Sequence, residues 1–413
     1  MKVLMPLFLL LSILPLHAAD HQLSSIRVRG NKRASTALIL AQSRLKEGNT
    51  YTETTLTNAV RRVARLPFVF GATYQLEGSD GDGETLIIQV SEQRRYQISW
   101  ATEMYTDTHH NVWNDELGLS ADWFPGSGHI SLSVNADPSL TQDHEDPEKT
   151  TLAYELYNIG RGVRMRLFSD NYADYNGFNF FTEDSYTFGF GQIFNKVGIE
   201  LGVPLNVNSS IGFQVSRVEK HIATFDYYSD VFTYHSTDTD GMETRVWWDH
   251  DTRDDEVVPL SGSFFRVGGF IRALETDYLY IDDNDGDIDL SLGEDGDAKG
   301  AFMEAAYYKP YGDKGSFSYK GGATWEETDV AYSWDEANPR ESSAVYFESA
   351  FTWHLSGRDG SSRESFLQAI AAAEWRERDY FYGSDDVSGV WLGGAYTYRG
   401  RRFLVNLKAL YTP

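Results

Sequence analysis

The sequence predicts a small α+β domain of order strand, helix, helix, strand, strand, followed by a transmembrane antiparallel β-barrel of about 16 strands. Three observations carry that prediction. From about residue 95 onward, apolar and polar residues alternate with the two-residue period of a strand. The alternating runs are separated by Gly, Pro and Asn turns, as hairpins require. Residues 1–19 read as a secretory leader, and the chain has no cysteine.

Composition narrows the class further. Among 413 residues, Tyr 25, Phe 24 and Trp 10 give an aromatic share of 14%, yet hydrophobic residues reach only 41%. Mean hydropathy is −0.42. Beyond the N-terminus there is no apolar run of roughly 20 residues, the length a helical span needs. A barrel conceals its apolar band, because only alternate residues meet lipid. The net charge of −25 sets the chain against general nucleic-acid binding, since phosphates would be repelled. The lack of cysteine excludes thiol chemistry, disulfides and lipid attachment through an N-terminal Cys.

In the leader, Lys2 precedes an apolar run from Val3 to Leu16, and His17, Ala18 and Ala19 form an imperfect cleavage box before Asp20. That run is too short to anchor the chain as a spanning helix. Residues 20–95 follow as a compact unit. Ser24–Arg29 is predicted as a strand ending at the Gly30-Asn31 turn, and Ala34–Ser43 as a short helix before the Gly48-Asn49 break. Thr52–Leu66 carries Leu56, Val60, Val63 and Leu66 at helical spacing, and Pro67 stops it. Two strands, Phe70–Leu76 and Glu84–Glu92, are joined by a Gly/Asp loop at residues 78–83.

This order, together with IRVRGN at Ile26–Asn31, LKEGNTY at Leu45–Tyr51, LPF at Leu66–Phe68 and LIIQVSE at Leu86–Glu92, resembles a POTRA domain. POTRA domains are periplasmic modules that precede the barrels of the outer-membrane assembly and translocation superfamily, BamA-like and TamA-like proteins among them. The resemblance implies a Gram-negative outer-membrane location with the POTRA domain in the periplasm. Its implied partners are outer-membrane lipid, unfolded outer-membrane or secreted polypeptides as clients, and periplasmic accessory proteins. A two-partner secretion transporter would need a dedicated secreted substrate and usually a second POTRA, whereas only one POTRA-like unit is read here.

Residues 96–413 carry the alternation. Ile130, Leu132 and Val134 alternate with His129, Ser131 and Ser133; Val163, Met165 and Leu167 with Arg164 and Arg166; Val345, Phe347, Phe351 and Trp353 with Glu348, Thr352 and His354. A charge on the lipid face at mid-membrane costs roughly 2 to 4 kcal/mol, so the charged parity must face the lumen. A soluble β-sandwich would alternate too. The number of strands and the Tyr and Trp near strand ends suit a barrel with aromatic girdles. Short connections at residues 124–128, 160–162, 206–209, 259–262 and 312–315 alternate with long ones at 138–149, 169–186, 229–241, 281–299 and 329–342. That is the asymmetry of short periplasmic turns and long outer loops.

The stretch Met242–Val267 organises the reading. Met242, Thr244, Val246 and Trp248 share one parity and Glu243, Arg245, Trp247 and Asp249 the other, before the chain turns at Pro259–Gly262. Its acidic run and Pro/Gly turn, with Asp249, Asp251, Arg253, Pro259 and Gly262, resemble the superfamily's turn at this place. Two departures stand against the resemblance. The loop at residues 329–342, which takes the place of the superfamily's sixth outer loop, lacks the Arg-Gly-aromatic motif that folds into the lumen there, and the nearest match is Arg399-Gly400. Either that pair is the lumen motif and closing strands are missing, or it is a hairpin turn of a divergent barrel. The strand count also ends on a fifteenth strand, Arg402–Thr412, so one strand is misread or the C-terminus is incomplete.

No nucleophile arrangement, phosphate-cradling loop or metal spacing stands out, so neither catalysis nor a cofactor is expected. Asp283, Asp285, Asp287 and Asp289 surround Gly286 as in calcium loops, but Ile281 stands where the first Asp belongs, and a solvated acidic loop is the preferred reading. The expected function is assistance in inserting, assembling or translocating polypeptides. Clients would add to the POTRA edge at Phe70, Thr73, Tyr74, Gln75 and Leu76. They would then be admitted at a barrel seam between Tyr96, Ile98, Trp100 and Met104 on the first strand and Phe403, Val405 and Leu407 on the last. The alternative is a passive outer-membrane pore or surface scaffold.

Overall fold

The computed structural model describes residues 20–66, 68–78, 83–106, 111–124, 128–136, 145–157, 159, 163–181, 186–206, 208–228, 231–254, 259–282, 288–312, 314–329, 341–356, 363–380, 383–400 and 402–411. The leader and Pro67 lie outside them.

The first domain runs β1 (Asp20–Arg29), α1 (Thr36–Ser43), β2 (Thr50–Thr52), α2 (Glu53–Ala64), β3 (Val69–Glu77) and β4 (Glu84–Glu92). Ser35 and Thr52 cap the helices, accepting from the Leu38 and Thr55 amides at 3.2 Å each. The apolar stripe of α2, with Leu56, Ala59 and Val63 fully buried, packs with Leu38 and Ile39 against Leu23, Leu86 and Ile88 of the sheet. The sheet order is β2-β1-β4-β3, with β1 and β4 parallel. The sequence reading missed β2, because three residues are too short to display an alternation. It pairs antiparallel with the start of β1.

The barrel begins with β5 (Tyr96–Thr106), β6 (Asn111–Trp123), β7 (Gly128–Ala136), β8 (Glu145–Leu156), β9 (Arg164–Phe181), β10 (Tyr186–Pro204), β11 (Ser209–Tyr228) and β12 (Val231–Asp251). It continues with β13 (Gly262–Asp282), β14 (Ile288–Tyr311), β15 (Gly315–Thr328), β16 (Glu341–Ser356), β17 (Arg363–Tyr380), β18 (Gly383–Gly400) and β19 (Phe403–Tyr411). Consecutive strands pair antiparallel around a closed sheet of β5 through β19. That is fifteen strands among the described residues and not the 16 expected. An up-and-down meander with an odd count leaves its first and last strands pointing the same way, so closure must use a parallel ladder. β19 accordingly pairs parallel with β5, from Phe403 opposite Ile98 to Tyr411 opposite Thr106.

Three expected long loops prove largely to be strand. β9 runs to Phe181, β12 starts at Val231 and β14 at Ile288, so most of residues 169–181, 231–241 and 288–299 continue the ladder. Their Asp, Ser and Asn content suggested loops. Polarity is compatible with a strand whose backbone is paired, and the Thr, Tyr and Phe among them favour that pairing. The barrel is therefore lopsided. β10 to β14 have 19 to 24 residues each, whereas β7 and β19 have 9.

The two faces divide as the alternation requires. Met242, Val246, Val267, Ile271, Val345, Phe347 and Trp353 are exposed on the outside. Glu243, Trp247, Thr352 and His354 are buried on the inside.

The connection between β12 and β13 is held at its base by two aspartates. Asp254 Oδ1 accepts the Leu260 and Ser261 amides at 2.8 and 3.1 Å, while Asp251 Oδ1 accepts the Arg253 amide at 3.0 Å. Gly262 closes it at φ +105, where a Cβ would lie 2.3 Å from Thr252 O. Both backbone conformation and space demand glycine. Gly262→Ala is expected to lower the stability of the purified protein by about 1–3 kcal/mol, read as a fall in its thermal unfolding midpoint, whereas Gly269→Ala in the neighbouring strand serves as a milder control.

Candidate functional site

The first domain is seated on the end of the barrel that carries the short turns, and one aromatic residue fixes it there. Phe68, fully buried, leaves α2 and enters a pocket made by barrel residues. Its ring centroid lies 4.8 Å from Phe124, 4.9 Å from His129 and 6.3 Å from Tyr157. His129 is held by Asp122 at 2.8 Å and Glu155 at 3.4 Å. Tyr157 and Phe124 join the hydrophobic cluster of the first domain, so its core runs on into the barrel base. Arg33 adds a cation over the Phe124 ring at 5.3 Å and holds Glu92 and the Gln93 carbonyl, which fixes the strand leading into β5.

A second set of contacts is electrostatic. Arg44 donates to the carbonyls of Asn206 and Ser209 in the β10–β11 turn. Arg65 pairs with Asp251, and Arg61 reaches Ser261 Oγ at 3.4 Å. Asp249, Asp251, Arg253, Pro259 and Gly262 thus belong to, or flank, the platform on which α2 rests. Asp249 accepts from Ser210 Oγ at 2.7 Å, and Arg253 clasps Asp251 at 2.9 Å. Burial pushes the Arg44 guanidinium down to about 10, Asp249 opposing that shift and Arg65 adding to it.

The open edge of the POTRA sheet lies close to this junction. β3 has β4 on one side and no strand on the other among the described residues. Ala72, Tyr74 and Leu76 pack on the domain core, leaving Thr73 and Gln75 exposed. Tyr74 is anchored through its hydroxyl to Glu53 and, at 3.2 Å, Thr57. Burial first, and then the Glu53 carboxylate, push that phenol up from its usual range. Phe70, at the root of β3, is buried under Arg399 of β18, whose guanidinium stands 5.2 Å from its ring. Arg399 and Gly400 therefore end β18 beside the first domain, with Arg399 paired to Glu364 at 3.6 Å, and are not a loop folded into the lumen.

The closing ladder sets Ile98 opposite Phe403 and Trp100 opposite Val405, while Leu407 faces Thr102 and Ala409 faces Met104. Tyr96, Ile98, Trp100, Phe403 and Leu407 are exposed on the outer face. The Met104 side chain, like those of Asp283, Asp285, Asp287 and Asp289, lies outside the described residues. Among the described residues no group of carboxylates or histidines is arranged to hold a metal ion.

The lumen is crossed by ion pairs. Glu243, only 1% exposed, accepts from Lys196 at 2.7 Å and Arg272 at 2.8 Å, with Arg245 at 3.3 Å. Arg272 reaches on to Glu326 at 2.9 Å. This places one carboxylate between cations from three other strand positions, a lattice that ties strands together along the polar inner wall beside a cavity of about 570 Å³.

Comparison with known proteins fits this division of the chain. Residues 22–93 match the POTRA family, described as surface antigen variable number repeat. The chain is thus a POTRA domain followed by a closed β-barrel. Among solved structures, it is similar to BamA from Haemophilus ducreyi lacking POTRA domains 1-3, with 12% identity, a TM-score of 0.37, and coverage of 90% of this chain and 81% of that one. It is also similar to CdiB from Acinetobacter baumannii, with 10% identity, a TM-score of 0.44 and coverage of 92% and 70%. CdiB from Escherichia coli gives 12%, 0.47, and 92% and 69%. No curated protein matches the chain by sequence.

The junction residues Arg44, Arg61, Arg62, Arg65, Phe68, Phe124 and His129 were not singled out from the sequence. One signal was available: Arg61, Arg62 and Arg65 form a basic cluster late in a helix of an acidic protein, and Asp249–Asp254 is its acidic complement. Phe68→Ala, which empties a fully enclosed aromatic site, is expected to cost about 3–5 kcal/mol and to free the connection at Arg94-Arg95. Trypsin should then cleave there faster than in the native protein, and Arg65→Gln should give a smaller change in the same direction. Equal cleavage rates would mean that the aromatic clamp does not hold the domain.

Proposed function

We propose that this protein spans the Gram-negative outer membrane with its POTRA domain in the periplasm and assists the insertion, assembly or translocation of polypeptides. The observation that carries the reading is a juxtaposition. The unpaired edge of β3 starts beneath Arg399 of β18, and β18 is one strand away from the β19–β5 ladder that closes the barrel. An extended client that adds to β3 gains backbone hydrogen bonds without much reading of its sequence. From there it meets the closing ladder, formed by the two strands whose pairing is parallel and of which β19 has only 9 residues. Parallel pairing is slightly weaker per residue than antiparallel, so this ladder is the seam assigned to client entry, with Ile98, Trp100, Phe403, Val405 and Leu407 lining it.

The membrane placement draws support from the outer face, where Ile211, Phe213, Val246, Val267, Ile271, Phe347 and Trp353 are exposed, and from the ionic interior. A polar interior and an apolar exterior invert the usual arrangement of a soluble barrel. Residues 1–19 are read as the export leader. Accessory periplasmic proteins would have the remaining POTRA surface, including the exposed Arg27 and Arg29 face of the sheet's neighbourhood, as their contact.

Two expected outcomes test the reading. Ile271 is 65% exposed, so Ile271→Arg would be harmless in a soluble protein; here it should lower the yield of membrane-inserted barrel, with a cost of roughly 2–4 kcal/mol in folding into lipid vesicles. Ala72→Pro and Thr73→Pro probe the edge, because neighbouring amides point to opposite sides of a strand and only one of them faces β4. The variant that keeps native stability should reduce outer-membrane protein levels in its host. Unchanged levels, together with a stable open conductance in planar bilayers, would favour the passive pore instead.

A further inference from the structure

Between the POTRA helices and the barrel lies a chamber of about 420 Å³ whose charges do not balance. Six arginines line it: Arg44, Arg62 and Arg65 from the POTRA domain, and Arg164, Arg253 and Arg266 from the barrel. Four carboxylates face them, Glu200, Asp249, Asp251 and Glu304. The nearest carboxylates to the POTRA side are already engaged. Asp251 is held by Arg65 and, at 2.9 Å, by Arg253. Asp249 accepts from Ser210 at 2.7 Å and lies 3.8 Å from Arg266.

Arg62 is left over. It is only 6% exposed, yet its Nε and Nη2 have no hydrogen-bond partner. Nε of Arg164 and of Arg266, across the chamber, are unpartnered as well. A buried guanidinium without partners is costly, because its desolvation is not offset by hydrogen bonds. Burial, with Arg44 and Arg65 nearby, pushes its pKa down to about 8. Arginine nevertheless does not readily escape by losing its proton. What relieves such a site is an anion that takes several charge-assisted hydrogen bonds at once.

We propose that this chamber binds a small multivalent oxyanion of the phosphate class, bridging Arg62 of the POTRA domain to the barrel arginines Arg164 and Arg266. The occupant is a soluble anion rather than a lipid headgroup, since barrel strands wall the chamber and POTRA helices cover it. Bound there, the anion supplies the partners that Arg62 lacks and ties the POTRA helix to Arg164 and Arg266, and so adds to the contacts that hold the POTRA domain on the barrel. The inference stands on the docked arrangement alone and does not depend on client handling.

The test uses the full-length protein in non-ionic detergent, titrated calorimetrically with inorganic phosphate and heated in phosphate or in chloride at matched ionic strength. Saturable phosphate binding and a higher unfolding midpoint in phosphate than in chloride are expected. Arg62→Met should abolish both, while its midpoint in chloride equals or exceeds that of the native protein, because an uncompensated buried charge has been removed. Arg62→Lys keeps a charge without the planar fork and should bind phosphate roughly tenfold more weakly. It decides the matter if the methionine variant does not fold. Equal midpoints in the two salts, or an Arg62→Lys affinity for phosphate equal to the native one, would overturn the proposal. A response to micellar phosphatidic acid as large as that to inorganic phosphate would overturn the assignment to a soluble anion.

Discussion

A closed sheet has no edge but two faces, and nearly everything else in this molecule follows from giving those faces opposite chemistry. Because successive side chains of a strand point to opposite sides, one parity carries most of the apolar residues outward and the other carries residues such as Glu243, Arg245 and Arg272 inward. The interior then has to neutralise what it receives. Glu243 does this with Lys196, Arg245 and Arg272, and Glu155 with Arg164 and Arg166. Apart from Glu243–Arg245, which lies within β12, these pairs stand between strands and so also fix register: a slip of one residue would break them and turn the apolar face inward.

Closure is the second consequence. With an odd number of strands the last ladder is parallel, and it joins short strands on the side of the barrel opposite the long β10–β14 wall. The POTRA domain is placed with respect to this asymmetry. Its hydrophobic anchor, Phe68, enters at the β6–β7 and β8–β9 turns near the short side, while its arginines reach the β10–β11 and β12–β13 turns beneath the long side. One contact is apolar and specific in shape, the other ionic. Together they hold the domain across the opening and leave the outer edge of β3 unpaired near the closing strands.

The sequence made the two-domain plan legible because both periods are strong. Leu56, Val60 and Val63 mark a helix face, and Met242 to Asp249 mark a strand with two unlike sides. The edge strand at Phe70–Leu76 and the first and last barrel strands could be named for the same reason. Strand ends were less legible. Residues such as Asp238 and Asp240 lie in β12, where backbone pairing outweighs the weak strand preference of aspartate. The parity count reaches fifteen strands, as the described residues do; the expectation of about 16 fails because the alternation does not reveal that the final ladder can be parallel. The junction was hidden for a different reason: Arg65 and Asp251 are far apart in sequence, and a charge on a helix looks solvated until the surface that covers it is known.

The central claim is that one parity of each barrel strand meets hydrocarbon and the other an aqueous, ionic lumen. Spin labels placed singly at residues 242 to 249 of β12, in protein reconstituted into lipid vesicles, measure this directly through their collision rates with oxygen and with a water-soluble nickel chelate. The account predicts oxygen-rich values at 242, 244, 246 and 248, and nickel-rich or shielded values at the positions between them. A profile with no two-residue period, or one in which the nickel chelate reaches residues 242 and 246 as freely as water, would contradict it.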